Sequence, residues 1–342
     1  MLSKKASGGH PQVNGAHING KLDYFPELPR YTDPQTGFLS YLPRSWVPYA
    51  QLMRLDKPAG LYSYYICYLV SLLYAAAAAP EPPAPLVLLK ILVALVPSLL
   101  LMRGAAVTWN DTIDQRFDRR VERTRHRPLA RGAVSTPQAL AFHLFLLALL
   151  HHYHHALDIL PPAIRPHTLA NVALAHVYPF TKRVTDFPQV YMGAVCCDGV
   201  FFAAAALGVP GEMYRANVAL FGALTLWVVI NDVVYAHQDA EDDAKIGVGS
   251  MAVRFRHSAK RLAGVLAVLH VTLLGVCGWW AGFGPVYFLG TVGTAGAFMF
   301  YYIYDVDLGS PAACGAWFYK QCWLGGSAVL AGFLGEYILK LG

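Results

Sequence analysis

NDTIDQRFDRRVERTRHRPLARG, residues 110–132, is a densely charged stretch set between two long apolar runs. It carries Asp111, Asp114, Asp118 and Glu122, and arginine at 116, 119, 120, 123, 125, 127 and 131. Read as a helix, Asn110, Asp114 and Asp118 follow at i, i+4 and i+8 and stack on one face, with Asp111 at its edge. Carboxylates so placed repel one another unless something cationic sits among them. A hard divalent ion such as Mg2+ is the usual solution: it prefers oxygen ligands, keeps several waters and bridges to a phosphate.

The runs on either side set the fold class. The 342-residue chain is 56% hydrophobic and 14% charged, against about 25% charged in an ordinary soluble protein. A membrane helix needs about 20 predominantly apolar residues. On that measure there are about nine candidate spans, near 58–79, 86–108, 137–157, 165–181, 188–208, 215–236, 260–281, 284–304 and 317–340. The expected fold is an all-α polytopic membrane protein, a bundle of about nine helices around a central cavity.

Charge in the connections alternates. The loops after the second, fourth and sixth spans hold the arginines above, Lys182 and Arg183, and Lys245, Arg254, Arg256, Lys260 and Arg261. The loops APEPPAP and AGFGP hold neither Lys nor Arg. The positive-inside rule puts the charged loops, and the N-terminal tail, in the cytosol. Residues 1–45 read as a polar, partly disordered cytosolic tail with an interfacial lead-in, and residues 46–342 as one transmembrane domain. Trp46 and Tyr49 are expected at headgroup level. No apolar stretch follows Lys4 and Lys5, so a secretory signal is not expected. A mitochondrial transit peptide is not expected either, since arginine is absent before Arg30 and Asp23 and Glu27 intrude. The cysteines lie in or beside apolar runs without a CxxC pair and read as reduced core residues.

A second acidic stretch, NDVVYAHQDAEDDAKIGVGSMAVRF, fills residues 231–255. Asp239 and Asp243 are an i, i+4 pair, Asp232 lies two turns earlier on the same side, and Gly247 and Gly249 break the helix. One such pair is a common surface feature. Two acid-rich helix ends on one membrane face, each followed by basic residues, default to function.

Opposed carboxylate rows holding Mg2+ would hold a diphosphate. Arg54, Lys57, Arg127, Lys182 and Arg183 would bind its remaining oxygens, and the departing diphosphate would leave an allylic carbocation. A water-excluded site would preserve that cation until it met an aromatic ring. Competing readings are an ion or metal transporter, which needs its acids near the midplane in broken helices, and a structural subunit. The cluster His151, His152, His154 and His155 reads as a solvated cap at the opposite end of the third span.

These residues resemble the motifs of the UbiA-type intramembrane aromatic prenyltransferases. NDxxDxxxD is Asn110, Asp111, Asp114 and Asp118, and RTxxRPL is Arg123, Thr124, Arg127, Pro128 and Leu129. RxDKPxG is Arg54, Asp56, Lys57, Pro58 and Gly60. YPxxKR is Tyr178, Pro179, Lys182 and Arg183, followed by Gln189 and Gly193. The second acidic motif is Tyr235, Ala236, Gln238, Asp239, Asp243, Gly247 and Ser250. The resemblance covers about residues 46–340. It implies Mg2+-dependent transfer of a prenyl group from a prenyl diphosphate to an aromatic acceptor. Asn110, Asp114, Asp118, Asp239 and Asp243 would be the metal–diphosphate ligands, with Asp111, Asp114 and Asp239 in catalytic roles. Tyr178, Asp232 and Tyr235 would meet the acceptor or the prenyl chain.

Two departures bear on the branch. Gly249 stands where the ubiquinone branch has a lysine, and Gln321 where it often has asparagine. With the N-terminus, these make the chain similar to fungal meroterpenoid prenyltransferases, which act on polyketide-derived phenols, often with farnesyl diphosphate. The expected location is the endoplasmic reticulum or another endomembrane, with the site facing the cytosol, rather than the mitochondrial inner membrane. A 4-hydroxybenzoate polyprenyltransferase of ubiquinone biosynthesis is the alternative. The expected partners are the bilayer and the two small-molecule substrates, not nucleic acid.

Overall fold

Proline sets where many of the helices begin. In a computed structural model of the chain, residues 17–18, 21–22, 31–32, 34–156, 160–247 and 249–342 are described. The expected polar tail lies mostly outside them, and the lead-in lies within them only from residue 31. Apart from an antiparallel pairing of His17–Ile18 with Lys21–Leu22, regular structure among the described residues is helical. A short helix, α1 (Val47–Leu52), precedes α2 (Ala59–Ala78), α3 (Pro85–Asp118), α4 (Thr136–Ala156) and α5 (Arg165–Thr181). Then come α6 (Pro188–Ala206), α7 (Tyr214–Tyr235), α8 (Ala240–Ile246), α9 (Ala259–Ala281), α10 (Pro285–Asp305) and α11 (Pro311–Leu341). Pro85, Pro188, Pro285 and Pro311 each stand in the first turn of a helix, where the missing N–H costs nothing and the fixed φ suits the helix.

Leaving out the short α1 and α8, these helices fall where the apolar spans are expected. Seven are long and apolar enough to cross a membrane by length and composition. The other two are α4, with its histidines, and α5, which has 17 residues. At 1.5 Å per residue, the 34 residues of α3 are about 50 Å long, against a hydrocarbon core of about 30 Å. The helix is thus longer than the apolar layer is thick, and its last turns carry the acidic motif.

Contacts run from α2 to α3, α3 to α5, α5 to α6, α6 to α7, α7 to α9, α9 to α10 and α10 to α11. α11 then packs against α2, which closes the bundle, while α4 lies along α3. Tyr68, Tyr74, Leu95, Leu99, Trp227 and Phe333 fill the interior. Leu86, Leu89, Val93, Leu144 and Leu169 are exposed, as side chains facing lipid would be. Trp46 is exposed, and Tyr49 packs edge-on against Phe142 at 5.0 Å.

The histidine cluster departs from expectation at one position. His151, His152 and His155 are exposed, but His154 is buried and its Nε2 lies 2.7 Å from Ser98 Oγ on α3. Helical rotation explains the split. His151 and His155 share a face, with rings 4.2 Å apart, and His154 is turned about 100° away from His155, towards α3.

α10 and α11 approach through glycine. A Cβ on Gly332 would lie 2.5 Å from Thr291 Oγ1 and 2.9 Å from the Tyr287 backbone, and one on Gly290 would lie 3.1 Å from the Gly332 Cα. Such small-residue seams let membrane helices pack backbone to backbone. Gly332→Val should destabilise the protein by about 1–3 kcal/mol, read as a lower unfolding midpoint in detergent. An unchanged midpoint would mean that the two backbones do not pack this closely.

Candidate active site

α3 carries Asn110, Asp111, Asp114 and Asp118 to one end of the bundle, and the following loop folds back onto them. Leu129 and Ala130 are fully buried, and Leu129 packs with Leu52 and Val134. Gln115 Nε2 donates to the Leu129 carbonyl at 3.0 Å, and Arg119 Nε to that of Ala130 at 2.9 Å. Gly132, with φ of +79°, turns the chain towards α4 in a conformation that a Cβ disfavours. The RTxxRPL segment is thus a packed knot that holds Arg123 and Arg127 over the end of α3.

Each carboxylate of the first motif meets a base. Arg54 donates to both oxygens of Asp111, at 2.7 Å each. Arg127 bonds Asp111 at 3.1 Å and both oxygens of Asp118, at 3.0 and 2.9 Å. Lys182, at the end of α5, reaches Asp114 at 3.0 Å, with Arg183 at 3.7 Å from the other oxygen. Arg54 has φ of +59°, unique among described non-glycine residues. This left-handed backbone is costly for a residue with a Cβ, and such strain is held where a side chain must be aimed.

The second motif joins the first through Arg123. Its Nε and Nη2 grip Asp239, with contacts of 2.9, 2.9 and 2.6 Å. Asp239 is the residue before α8, and Asp243 donates its N–H back to the Asp239 carbonyl at 2.8 Å. Gly247, with φ of +73°, ends α8 as its sequence suggests. The two acidic motifs therefore lie at the same end of the bundle. The Asp242 side chain is outside the described residues.

Two of the residues expected near the acceptor lie beside the basic side chains of this layer. Lys182 Nζ lies 5.3 Å from the Tyr178 ring centre, and Arg123 stands 5.7 Å from that of Tyr235. Asp232 lies close to Gln189 and within electrostatic reach of Lys182 and Arg123.

The layer has a sense of depth. Asp111, Asp114 and Asp118 side chains are 0%, 5% and 9% exposed, while those of Arg127, Lys182 and Arg183 are 21%, 29% and 40% exposed. The bases form an outer tier over the acids. Burial alone would lower the basicity of Lys182, but Tyr178, Asp114 and Asp118 more than offset it and hold its pKa above the usual value. Burial likewise opposes the charge on Arg127, and Asp118 and Asp111 override it. Lys57 is exposed and makes no ion pair among the described residues; partial desolvation, with Arg123, Arg54 and Arg127 nearby, pulls it below its usual pKa against the pull of Asp56.

The sequence reading placed a metal between acidic rows; here arginine and lysine supply the positive charge. Among the described residues no three carboxylate, His or Cys side chains converge on one point, because each of these carboxylates is turned to a basic partner. The donor set still suits a hard cation, being all oxygen. Asn110 Oδ1 is buried without a hydrogen-bond partner, next to the Asp111 and Asp114 carboxylates. The residues therefore fit a Mg2+ site. Sequence reasoning missed Arg123 as a site residue, although it heads the RTxxRPL element; the i, i+4 logic followed the acids alone.

The UbiA prenyltransferase family profile matches residues 65–325. The prenyltransferase ascA of Acremonium egyptiacum is 39% identical over 269 residues, 77% of this chain and 78% of its own. The DMOA farnesyltransferase nvfB of Aspergillus novofumigatus is 35% identical, over 89% of this chain and 95% of its own. A 4-hydroxybenzoate octaprenyltransferase of Alkalilimnicola ehrlichii is 37% identical, over 83% and 92%. Among solved structures, a UbiA homologue of Archaeoglobus fulgidus bound to GPP and Mg2+ has the same fold, with a TM-score of 0.57 at 17% identity. It aligns over 86% of this chain and 99% of its own.

Removing Asp111 leaves Arg54 without its carboxylate and Arg127 with Asp118 alone. Asp111→Ala should destabilise the protein by about 3 kcal/mol, the usual cost of breaking a buried ion pair from one side. Adding Arg54→Ala should cost much less than Arg54→Ala does by itself. Strictly additive losses in detergent unfolding would show that the two side chains do not interact.

Proposed function

Because the chain belongs to the UbiA prenyltransferase family, we propose that it transfers a farnesyl group from farnesyl diphosphate to an aromatic, polyketide-derived phenol in meroterpenoid biosynthesis. The observation that carries the reading is the Arg123–Asp239 clasp, which joins the two acidic motifs at one mouth. The fungal relatives, one of them named a farnesyltransferase, support the branch. Residues 46–342 are the catalytic unit in this reading. In this reading the mouth faces the cytosol on an endomembrane, and the basic loops support that orientation.

In the proposed reaction the allylic C–O bond breaks with its electron pair going to the diphosphate oxygen. A ring carbon of the phenol forms the new C–C bond, and its proton passes to the released diphosphate or to Asp111. Arg54, Lys57, Arg127, Lys182 and Arg183 stabilise the charge that develops on the leaving group. Asn110, Asp114, Asp118, Asp239 and Asp243 would hold Mg2+, which would neutralise diphosphate charge as a Lewis acid. Arg127 and Lys182 lie over the carboxylates and would turn outward to phosphate oxygens when the acids engage a different cation. Tyr178, Asp232 and Tyr235 line the approach of the acceptor, where tyrosine faces stabilise a passing cation.

The 4-hydroxybenzoate relatives support a second reading, polyprenyl transfer in ubiquinone biosynthesis. An ion-transport reading fits less well. Asp118 ends α3 and Asp239 precedes α8, both in ion pairs with arginine, whereas a transport path needs acids at the midplane.

Purified protein given labelled farnesyl diphosphate, Mg2+ and a panel of phenols should form prenylated phenol. Chelation with EDTA should abolish the product, and Asp114→Ala or Asp239→Ala should lower the rate by about 100-fold or more. No product with any phenol, together with Mg2+- or proton-coupled flux in liposomes, would reverse the assignment in favour of transport.

A further inference from the structure

Two histidines face each other where α4 and α5 both pack along α3. His143, on α4, is buried, and His176, on α5, is half-buried. Their Nε2 atoms are 3.0 Å apart. The other nitrogen of each ring is already committed. His143 Nδ1 lies 3.0 Å from the Ala105 carbonyl of α3, and His176 Nδ1 lies 2.7 Å from the Val172 carbonyl one turn back. A carbonyl oxygen only accepts, so both Nδ1 atoms carry the hydrogen, and in a neutral ring the Nε2 is then a bare acceptor. Two lone pairs therefore confront each other at hydrogen-bond distance. Away from water that mismatch is costly unless something positive joins them.

The geometry suits a metal ion better than a shared proton. The ring centroids are 4.9 Å apart, less than the 3.0 Å gap plus two ring radii. The nitrogens thus do not meet head-on, the direction that an N–H donor prefers. An ion to one side of the line between them can take both lone pairs. Two imidazole nitrogens about 2.0–2.1 Å from one ion, and at right angles about it, would be about 2.9 Å apart. Metal-bound histidine usually gives its second N–H to a carboxylate, a backbone carbonyl or water, which fixes the tautomer, and both rings do so here. Trp109 braces the pair: its Nε1 donates to the His176 carbonyl at 2.9 Å, and its ring lies 5.7 Å from that of His143 and 5.2 Å from that of His176. Beside His176 is a cavity of ≈ 10 Å3, lined in part by Met102, Ala105 and Asn171. It has room for about one water, which an ion with two protein ligands needs to fill its coordination.

We propose that His143 and His176 bind a transition-metal ion of the imidazole-preferring class, such as Zn2+ or Cu2+, which ties α4 to α5 across α3. The site is distinct from the acidic mouth. The Ala105 carbonyl that orients His143 is about 7.5 Å along α3 from Asn110, and imidazole in place of carboxylate selects a softer ion than Mg2+. The inference does not draw on the prenyl-transfer reading and stands or falls separately from it.

The test is calorimetric titration of the full chain with Zn2+ in detergent at neutral pH, with Mg2+ in excess to occupy the acidic mouth. Every sample carries His151→Gln and His155→Gln, because those exposed rings, 4.2 Å apart, would also take a metal. One Zn2+ should bind per chain. His143→Gln and His176→Gln should each weaken that binding by more than the roughly 10–100-fold that loss of an outer partner costs. Electron paramagnetic resonance of bound Cu2+, under the same conditions, should show coupling to two imidazole nitrogens. That spectrum needs neither variant and serves if the two do not fold. Zn2+ binding that survives either substitution, or a Cu2+ spectrum with fewer than two nitrogens, would overturn the site. So would a chain that takes up no Zn2+, the result expected if a proton alone bridges the rings.

Discussion

Charge neutralisation at one end of an apolar bundle is the constraint on which the rest depends. Asp111, Asp114 and Asp118 are almost wholly buried, and a carboxylate out of water must be paired. α3 brings the acids, the lead-in to α2 brings Arg54, the loop after α3 brings Arg123 and Arg127, and α5 brings Lys182. Each ion pair is therefore also a tertiary tie. The left-handed backbone at Arg54 and the packed knot around Leu129 serve the same end, since both fix where a guanidinium points.

The same arrangement suits a polyanionic substrate. A bare acidic cluster would repel diphosphate, and a bare basic cluster would have no hold on a divalent cation. Alternating the two stores both binding surfaces in a neutral, stable form. In the proposed reaction the outer tier of lysine and arginine would meet the diphosphate headgroup, and the apolar bundle would take the hydrocarbon chain.

Much of this was legible in the sequence. Helix-length apolar runs placed the helices, and the i, i+4 spacing put Asn110, Asp114 and Asp118 along one line on α3. Charge alternation between loops put the two motifs at one end, where Arg123 and Asp239 meet. Pairing was not legible. Which base meets which acid depends on how the loop after α3 folds back and on the twist at Arg54, and neither has a periodic signature. His154 shows the same limit, because a histidine run reads as one polar block until the helix turns one member inward.

The central claim is that both acidic motifs serve a single diphosphate site. Calorimetric titration of the purified protein with farnesyl thiodiphosphate tests it most directly, with and without Mg2+. The account predicts one binding event per chain that depends on Mg2+ and is lost alike in Asp118→Asn and Asp243→Asn. Binding that ignores Mg2+, or that survives removal of either carboxylate, would contradict it.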